Sequence, residues 1–246
     1  MEAQKAFMSK ALEGRRAVIT GGTRGIGFAV ARRLLEAGAA VAVCGRSNDG
    51  VEKAVAELTS LASDPDKVAG YPADITNRDQ VSKLFEFVDQ RLGGVDVLVN
   101  NAGIGLFANV ADITFDEWRS VLDTNLTGAF LCSHEAVGRM RKRGGGAIVN
   151  ISSLAGKNAF AGGAAYNASK FGLNGFTEAM MLDLRYDNIR VSTVAPGSVA
   201  TEFRSGGSAD WKIQPEDVAD VVFMILSMPS RTLVSSVELR PSQPRK

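Results

Sequence analysis

The sequence predicts one α/β domain with a doubly wound parallel sheet of about seven strands in the order 3-2-1-4-5-6-7 and helices on both faces. Short apolar segments and helical patterns alternate along almost the whole chain, as they do in parallel α/β proteins. The apolar segments are continuous rather than alternating, which is typical of strands buried on both faces. No linker, repeat or low-complexity stretch divides residues 1–246, so we expect a single domain.

The predicted strands are short apolar segments bounded by turn residues. In chain order they span residues 16–20, 40–44, 67–71, 95–99, 147–151, 190–194 and 234–239. Helices are predicted over residues 25–38, around Val51, Val55 and Leu58, and over residues 78–92, 115–143, 166–184 and 215–228. Gly38, Gly93 and Gly144 follow helical patterns and mark their ends. Pro215 followed by Glu216 is typical of a helix start.

The charge balance excludes several classes of partner. The chain has 28 basic and 27 acidic side chains and a net charge of +1, so no overall field attracts nucleic acid or an anionic membrane. One basic cluster lies at the end of a predicted helix, where cations complement the helix dipole and face water. Its members are Arg139, Arg141, Lys142 and Arg143. We therefore expect neither a nucleic-acid nor a membrane partner.

The cysteine and histidine content limits redox and metal chemistry. Cys44 and Cys132 are far apart and form no CxxC motif, so we expect reduced core thiols and a cytoplasmic protein. His134 is the single histidine, and we expect it at a helix surface or an interface, with no metal site. No apolar stretch reaches the roughly 18 residues of a membrane span and the first residues are polar, so we expect neither a membrane span nor a signal peptide.

A glycine-rich turn follows the first predicted strand and precedes a helix. Gly21, Gly25 and Gly27 give the spacing GxxxGxG, in the strand–turn–helix context of a dinucleotide site. Glycines in such a turn let backbone N–H groups approach a pyrophosphate at the helix N-terminus. The sequence therefore predicts a dinucleotide cofactor.

The end of the second strand favours NADP(H) over NAD(H). Proteins that bind NAD usually carry an acidic residue about 20 residues after the glycines, for the ribose 2′-hydroxyl. This chain has Arg46 there, Arg24 lies in the glycine turn, and the nearest acid, Asp49, is further along the loop. Because arginine binds phosphate bidentately, the two guanidinium groups suit a 2′-phosphate.

Tyr166 and Lys170 form the predicted catalytic pair. Their spacing puts them on one helix face, and an ammonium held close to a phenol lowers the pKa of the phenol. Such a phenol can give a proton to a ketone oxygen or take one from an alcohol. Ser153, thirteen residues before Tyr166, ends the fifth strand, where its hydroxyl can stabilise charge on a substrate carbonyl oxygen. Ser152 is the rival serine.

These features together resemble the classical short-chain dehydrogenase/reductase family over about residues 14–228, which implies a Rossmann-like fold. Residues 20–27 match its TGxxxGxG loop, and residues 100–103 match its NNAG motif. Its Asn-Ser-Tyr-Lys tetrad is matched by Asn125, Ser153, Tyr166 and Lys170. Residues 196–201 match its PGxVxT segment, and Asp74 stands where the family has an aspartate beside the adenine.

The resemblance implies a mechanism and a cofactor site. Ser153 would hold the carbonyl and Tyr166 would deliver the proton. Lys170 would bind the nicotinamide ribose, and Asn125 would hold a water that links Lys170 to solvent. The implied cofactor-binding residues are Gly21, Thr23, Arg24, Gly25, Ile26, Gly27, Arg46, Asp74, Ile75, Asn101, Ala102, Gly103, Tyr166, Lys170, Pro196, Gly197, Val199 and Thr201.

Two segments depart from the family pattern. The stretch after Thr201, where the family has a substrate-covering lid, is short and its only large apolar groups are Phe203 and Trp211, which favours an open or partner-completed pocket. The C-terminus lacks the family's TGQ…VDGG ending. The resemblance also implies a homodimer or homotetramer, with apolar residues of the long helix at 166–184 contributing to core and subunit contacts.

The leading hypothesis is an NADPH-dependent reductase of a small carbonyl substrate, or the reverse oxidation of a secondary alcohol. The alternative is a 3-oxoacyl-thioester reductase, which a basic patch near the pocket mouth would favour. An alcohol- or sugar-oxidising dehydrogenase comes third. A non-catalytic cofactor-sensing protein is a different class, and the retention of both Tyr166 and Lys170 speaks against it.

Overall fold

The computed structural model describes residues 10–203 and 210–244. Its centre is a seven-stranded sheet in the order β3-β2-β1-β4-β5-β6-β7, with every neighbouring pair parallel, as the sequence predicts. The strands are β1 (Arg16–Thr20), β2 (Ala40–Gly45), β3 (Val68–Pro72), β4 (Val97–Asn100), β5 (Gly146–Ile151), β6 (Ile189–Pro196) and β7 (Ser236–Leu239). Strand order reverses between β1 and β4, so a crevice opens at their carboxyl ends.

Helices cover both faces of this sheet. In chain order they are α1 (Gly25–Glu36), α2 (Asn48–Leu61), α3 (Arg78–Leu92), α4 (Phe115–Leu122), α5 (Gly128–Lys142), α6 (Ala164–Leu184) and α7 (Pro215–Ser227). Residues of α1, α2 and α7 pack on one face, and residues of α3, α5 and α6 pack on the other.

The strands are buried on both sides, which explains their continuous apolar sequence. Ile19 of β1 lies in the core cluster beneath α1 and α7, whereas its neighbour Val18 lies in the cluster beneath α3 and α5. Both side chains are fully buried. Successive residues of a strand point to opposite faces, so a strand covered on both faces needs apolar residues at every position.

Several predicted boundaries shift by one or two residues. The third strand begins at Val68 rather than residue 67, because Lys67 closes a 3₁₀ turn in which its N–H donates to the Asp64 carbonyl. The first helix ends at Glu36 because Gly38 takes a left-handed φ of 95°. The third predicted helix, Arg78–Leu92, has the bounds expected from the sequence.

The predicted helix over residues 115–143 is not continuous α-helix. A π-helical turn, Asp123–Thr127, separates α4 from α5. The sequence carries no proline or glycine inside this turn, so no helix-breaking residue marks it. Asn125 lies in the turn and bonds to groups outside the helix. Single π turns of this kind occur frequently at functional sites.

The final strand forms despite the unusual C-terminus. β7 pairs with β6 from Thr193↔Ser236 to Pro196↔Leu239, two residues shorter at its start than predicted. The Gly197 N–H donates to the Leu239 carbonyl at 2.9 Å. The last strand therefore supports the turn after β6. The N-terminal lead at residues 1–9, part of the predicted lid segment at residues 204–209, and residues 245–246 lie outside the described part of the chain.

The three arginines of the basic cluster at the end of α5 are paired with carboxylates, whereas Lys142 is exposed. Arg139 bonds to Asp89 at 2.7 Å, Arg141 to Asp187 and Arg143 to Asp96. These ion pairs connect α5 to its neighbours. Each of the three arginines therefore already has a carboxylate partner, whereas arginines that bind a nucleic-acid backbone neutralise its phosphates.

Both cysteines are buried and unbonded to each other, as predicted for core thiols. Burial raises the pKa of Cys44 to about 12 and raises that of Cys132 well above its usual value. His134 lies on the exposed surface of α5, as predicted, with its ring 6.0 Å from that of Phe130. Within residues 10–203 and 210–244, no helix is long and apolar enough to cross a membrane.

Candidate active site

The glycine turn joins β1 to α1 at the carboxyl edge of the sheet. Gly21 has a left-handed φ of 62°, and a Cβ there would lie 2.9 Å from the Ala102 Cα. At Gly27, a Cβ would collide with the Gly21 carbonyl and the Asn101 side chain. Glycine is therefore required at both positions for the turn to pack against the loop after β4.

The N-terminus of α1 is open to an anionic ligand. No side chain caps it at Arg24, and its first turn carries no acidic residue. By contrast, side chains of Ser47, Asn77 and Thr114 cap α2, α3 and α4. An uncapped N-terminus with a positive dipole end fits a pyrophosphate, so the residues present fit a dinucleotide cofactor.

The loop after β4 is fastened to the glycine turn by Thr20 and Asn101. The Thr20 Oγ1 accepts bonds from the N–H groups of Asn101 and Ala102, each at 3.0 Å. The Asn101 Nδ2 donates to the carbonyls of Thr20 and Gly21 at 2.9 and 3.1 Å. The amide nitrogen of Asn101 thus holds the turn in shape, a role that the sequence motif alone did not indicate.

Arg24 and Arg46 project from adjoining turns. A Cβ on Gly45 would lie 2.8 Å from the Thr23 Cγ2, so the residues next in the chain, Arg24 and Arg46, belong to one edge. Arg46 is exposed. Arg24 bonds to the Glu202 carboxylate at 3.0 Å, with both side chains about four-fifths exposed.

Asp74 and Ile75 follow β3 at the same edge. The Asp74 Oδ1 accepts bonds from the N–H and the hydroxyl of Thr76 at 2.9 and 2.8 Å. The Ile75 side chain is buried against Gly128 at the start of α5, where a Cβ would lie 2.6 Å from the Ile75 Cδ1. Any contact of Ile75 with a cofactor would therefore involve its backbone.

Lys170 is a buried cation beside Tyr166 on α6. Its Nζ lies 5.8 Å from the centroid of the Tyr166 ring and donates to the Ile151 carbonyl at 2.9 Å. The lysine is 5% exposed, and burial lowers its pKa from 10.5 to about 8. The i, i+4 spacing thus brings an ammonium and a phenol together at the end of β5.

Asn125 meets Lys170 at the loop after β4. Its Oδ1 accepts the Ile104 N–H at 2.8 Å, and its Nδ2 donates to the Ile104 carbonyl at 2.9 Å and to the Ser169 Oγ at 3.0 Å. The Asn125 Oδ1 and the Lys170 Nζ both lie within 4 Å of the position that a Cβ on Gly103 would take. The side chain of Asn125 therefore connects the π turn, the β4 loop and α6.

The two candidate serines have different environments. The Ser152 hydroxyl is 4% exposed and donates to the Asn174 Oδ1 at 2.6 Å. Ser153 is half-buried, and its Oγ accepts the Ala155 N–H at 3.1 Å, which orients the hydroxyl at the start of a 3₁₀ turn. The Ser152 hydroxyl is thus engaged with a side chain of α6, whereas the Ser153 Oγ accepts a backbone N–H just after β5.

The segment after β6 returns to the glycine turn. Val199 forms an isolated parallel bridge with Ile213, and a Cβ on Gly25 would lie 3.4 Å from the Thr201 Cγ2. Pro196 ends β6, and Gly197 follows beside Leu154. The structure thus brings the predicted PGxVxT segment beside the glycine turn and the residues that follow β5.

Two phenylalanines flank the Tyr166 ring and a third packs against one of them, and the sequence had indicated only Phe203. The Tyr166 ring lies 5.5 Å from that of Phe107 and 5.8 Å from that of Phe203, and the rings of Phe107 and Phe160 are 5.8 Å apart. One phenylalanine follows each of β4, β5 and β6. That repetition, in loops predicted to meet at one sheet edge, is the signal that could have identified them.

Comparison with known proteins assigns the family. A family model described as short chain dehydrogenase matches residues 15–211. The chain belongs to the short-chain dehydrogenase family. A 3alpha-hydroxysteroid dehydrogenase of Mediterraneibacter gnavus is 39% identical over 191 residues, which are 78% of this chain and 76% of the relative. The protein is thus an oxidoreductase of this family.

Solved short-chain dehydrogenase structures share the whole fold. An alcohol dehydrogenase from Thermococcus sibiricus, complexed with 5-hydroxy-NADP, superposes with a TM-score of 0.86 at 27% identity, covering 94% of this chain and 98% of the other. A metagenomic short-chain oxidoreductase in complex with NADP gives a TM-score of 0.83 at 35% identity, covering 95% and 100%.

Proposed function

We propose that this short-chain dehydrogenase uses NADP(H) to reduce a ketone, or to oxidise the matching secondary alcohol, with Tyr166 as the acid/base. The observation that carries the proposal is the buried Lys170 ammonium, 5.8 Å from the Tyr166 ring at the end of β5. A buried charge is costly, so a lysine kept in this position beside a phenol is a functional arrangement.

Each residue of the site has a task in this proposal. Bound NADPH supplies the hydride. The Tyr166 hydroxyl donates the proton to the carbonyl oxygen, and the Ser153 hydroxyl donates a hydrogen bond to the same oxygen. The Lys170 ammonium favours the phenolate that proton transfer leaves on Tyr166, and binds the cofactor ribose. Asn125 holds the loop after β4 beside Lys170. It would also hold a water through which Lys170 exchanges protons with solvent.

The preference for NADP(H) is supported by charge at the cofactor edge. Arg24 and Arg46 leave adjoining turns, no acidic residue follows β2 directly, and solved relatives hold NADP or 5-hydroxy-NADP. Gly21, Thr23, Gly25, Ile26 and Gly27 would form the cradle for the pyrophosphate. The other predicted cofactor contacts, from Asp74 to Thr201, border the same crevice.

The cofactor proposal is tested at Arg46. We expect Arg46→Leu to lower the preference for NADPH over NADH about tenfold, because a charge-assisted bond to the 2′-phosphate is lost. The measurement is kcat/KM for each cofactor with one ketone. An unchanged ratio would remove Arg46 from the phosphate site.

Glu202→Gln, which we expect to favour NADPH where Arg46→Leu disfavours it, provides the control. Glu202 is paired with Arg24 at 3.0 Å, so it would compete with a cofactor phosphate for that guanidinium. We expect Glu202→Gln to tighten NADPH binding about twofold to fivefold, since exposed ion pairs are weak, and to leave NADH binding unchanged. Thermal shift with each cofactor reports the binding. Equal effects on both cofactors would contradict a phosphate at Arg24.

The alternative, a 3-oxoacyl-thioester reductase, receives less support from the site. An acidic carrier protein would need a basic patch near the mouth of the crevice. Lys157 is already paired with Glu238 at 2.7 Å, and Arg24 is assigned to the cofactor phosphate in this proposal. A non-catalytic sensing role is disfavoured because Tyr166 and Lys170 are both present and adjacent.

We also propose a homodimer or homotetramer. Phe130 of α5 and Phe171 of α6 are 48% and 45% exposed. Burying these rings against a second copy would remove apolar surface from water. The buried, reduced thiols support a reducing compartment, in agreement with a cytoplasmic location.

A further inference from the structure

We propose that Phe107, Phe160 and Phe203 form an aromatic pocket that selects an uncharged cyclic ketone, or its secondary alcohol, as the substrate of Tyr166. This inference rests on the proposed ketone reduction and adds the substrate class. It is carried by the positions of the three rings, by the uncharged sequence of the loops after β4 and β5 that bear Phe107 and Phe160, and by the exposure of Phe160 and Phe203.

The three rings lie where a substrate must lie to reach Tyr166. Phe107 meets the Tyr166 ring edge-on at 66°, with centroids 5.5 Å apart, and Phe203 meets it at 53° and 5.8 Å. Phe160 extends the row, 5.8 Å beyond Phe107. A carbonyl that accepts a proton from Tyr166 therefore carries its substituents into contact with at least one of these rings.

Local backbone features bring the rings together. A Cβ on Gly105 would lie 2.6 Å from the Phe203 ring and 2.9 Å from the Phe107 ring, so any larger residue would displace one or both rings. Ala108 and Gly163 form an isolated parallel bridge, which joins the loop that carries Phe107 to the loop that carries Phe160. The aromatic pocket is thus built jointly by the loops after β4, β5 and β6.

Two of the three loops carry no ionisable side chain beside the rings, and in the third loop Glu202, next to Phe203, pairs with Arg24 at 3.0 Å. Residues 104–110 and 158–163 contain no Asp, Glu, Lys, Arg or His. Lys157, just before the second segment, is bonded to the Glu238 carboxylate at 2.7 Å. Against the loops after β4 and β5, a charged substrate would lose its hydration without gaining an ionic partner from residues 104–110 or 158–163, whereas apolar surface gains from burial.

Exposure of the rings indicates that they meet a ligand. Phe160 is 38% exposed and Phe203 is 44% exposed, so both present apolar surface beside Tyr166. Ligand pockets are lined mainly by apolar and aromatic side chains with few polar groups that fix orientation. Here Tyr166 and Ser153 supply the polar groups, and flat aromatic faces suit the broad faces of a ring system better than a thin open chain.

The test compares kcat/KM for three probes with NADPH: tetralone, butanone and acetoacetyl coenzyme A. We expect tetralone to exceed each of the other two by about a hundredfold, because apolar pocket contacts discriminate strongly even per methylene. Equal or higher kcat/KM with acetoacetyl coenzyme A would overturn the substrate class while leaving ketone reduction intact.

Substitutions of the aromatic residues test whether the preference for tetralone arises in the aromatic pocket. Phe107→Ala and Phe203→Ala should each lower kcat/KM for tetralone about tenfold and change that for butanone less than about threefold. Tyr186→Ala is the matched control, since Tyr186 is an aromatic residue that is 93% exposed beyond the end of α6. Phe203→Leu also removes the aromatic ring of Phe203, with a smaller loss of side-chain volume than Phe203→Ala. Parallel losses for both ketones would contradict the aromatic pocket.

A binding measurement separates the proposed aromatic pocket from the proposed ketone reduction. Saturation-transfer NMR reports contact between tetralone and the protein–NADP⁺ complex without turnover. Tetralone that binds in a Phe203-dependent manner but is never reduced would support the aromatic pocket and contradict the proposed reduction. Tetralone that gives no Phe203-dependent signal would overturn the aromatic pocket, whatever other ketones are reduced.

Discussion

Replacement of Tyr166 by phenylalanine is expected to lower kcat for ketone reduction by about three to four orders of magnitude. The substitution removes the hydroxyl that donates the proton and retains the ring that packs against Phe107 and Phe203. We therefore expect the fold and the NADPH affinity to be retained, the affinity within about threefold. Initial rates of NADPH oxidation and a thermal shift with NADPH measure the two effects.

The control for this variant is Tyr186→Phe. Tyr186 is also a tyrosine on the segment that ends α6, but it is 93% exposed and lies at the opposite edge of the sheet. Its kcat should equal that of the wild type. A Tyr166→Phe enzyme that retains more than about a tenth of the wild-type kcat would remove Tyr166 from the chemical step.

Replacement of Lys170 by methionine is expected to abolish most activity and to stabilise the fold at neutral pH. The buried lysine has a pKa of about 8 instead of 10.5 because burial disfavours its charged form. That difference corresponds to about 3 kcal/mol of destabilisation when the side chain is charged. Loss of the bond to the Ile151 carbonyl offsets about 1 kcal/mol, which leaves an expected gain of about 2 kcal/mol at pH 7.

The lowered pKa of Lys170 also predicts how the stability difference between the wild type and Lys170→Met changes with pH. Between pH 8 and 10.5 the unfolded chain holds a proton on Lys170 that the folded protein has released, so the wild type becomes more stable as pH rises. The advantage of Lys170→Met should therefore be full below pH 8 and disappear towards pH 10.5. Urea unfolding at several pH values measures it, with Lys142→Met, at the exposed end of α5, as the control. A pH-independent difference would show that Lys170 is not a buried cation.

Much of the fold follows from local sequence. Continuous apolar strands and glycine-ended helices predict the sheet, because burial on both faces demands such strands. Gly21 and Gly27 are local signals too, since their role follows from backbone geometry in one turn. The spacing of Tyr166 and Lys170 places both on one face of a helix, so their proximity was predictable before any tertiary contact was known.

Other features depend on contacts distant in sequence. The aromatic pocket brings Phe107, Phe160 and Phe203 together from three loops, and no local pattern reports such a meeting. The pairing of Arg24 with Glu202 joins residues 178 positions apart. The π turn at Asn125 lacks a helix-breaking residue and is explained by bonds to the β4 loop.

The most direct test of the proposed chemistry follows hydride and proton separately. The protein would be incubated with NADPH deuterated at the transferred position and tetralone, and the alcohol product examined by mass spectrometry. The proposed mechanism requires one deuterium on the carbinol carbon with wild type, and about a thousandfold less labelled product per unit time with Tyr166→Phe. Unlabelled alcohol, or equal labelling rates for both proteins, would contradict hydride transfer assisted by Tyr166.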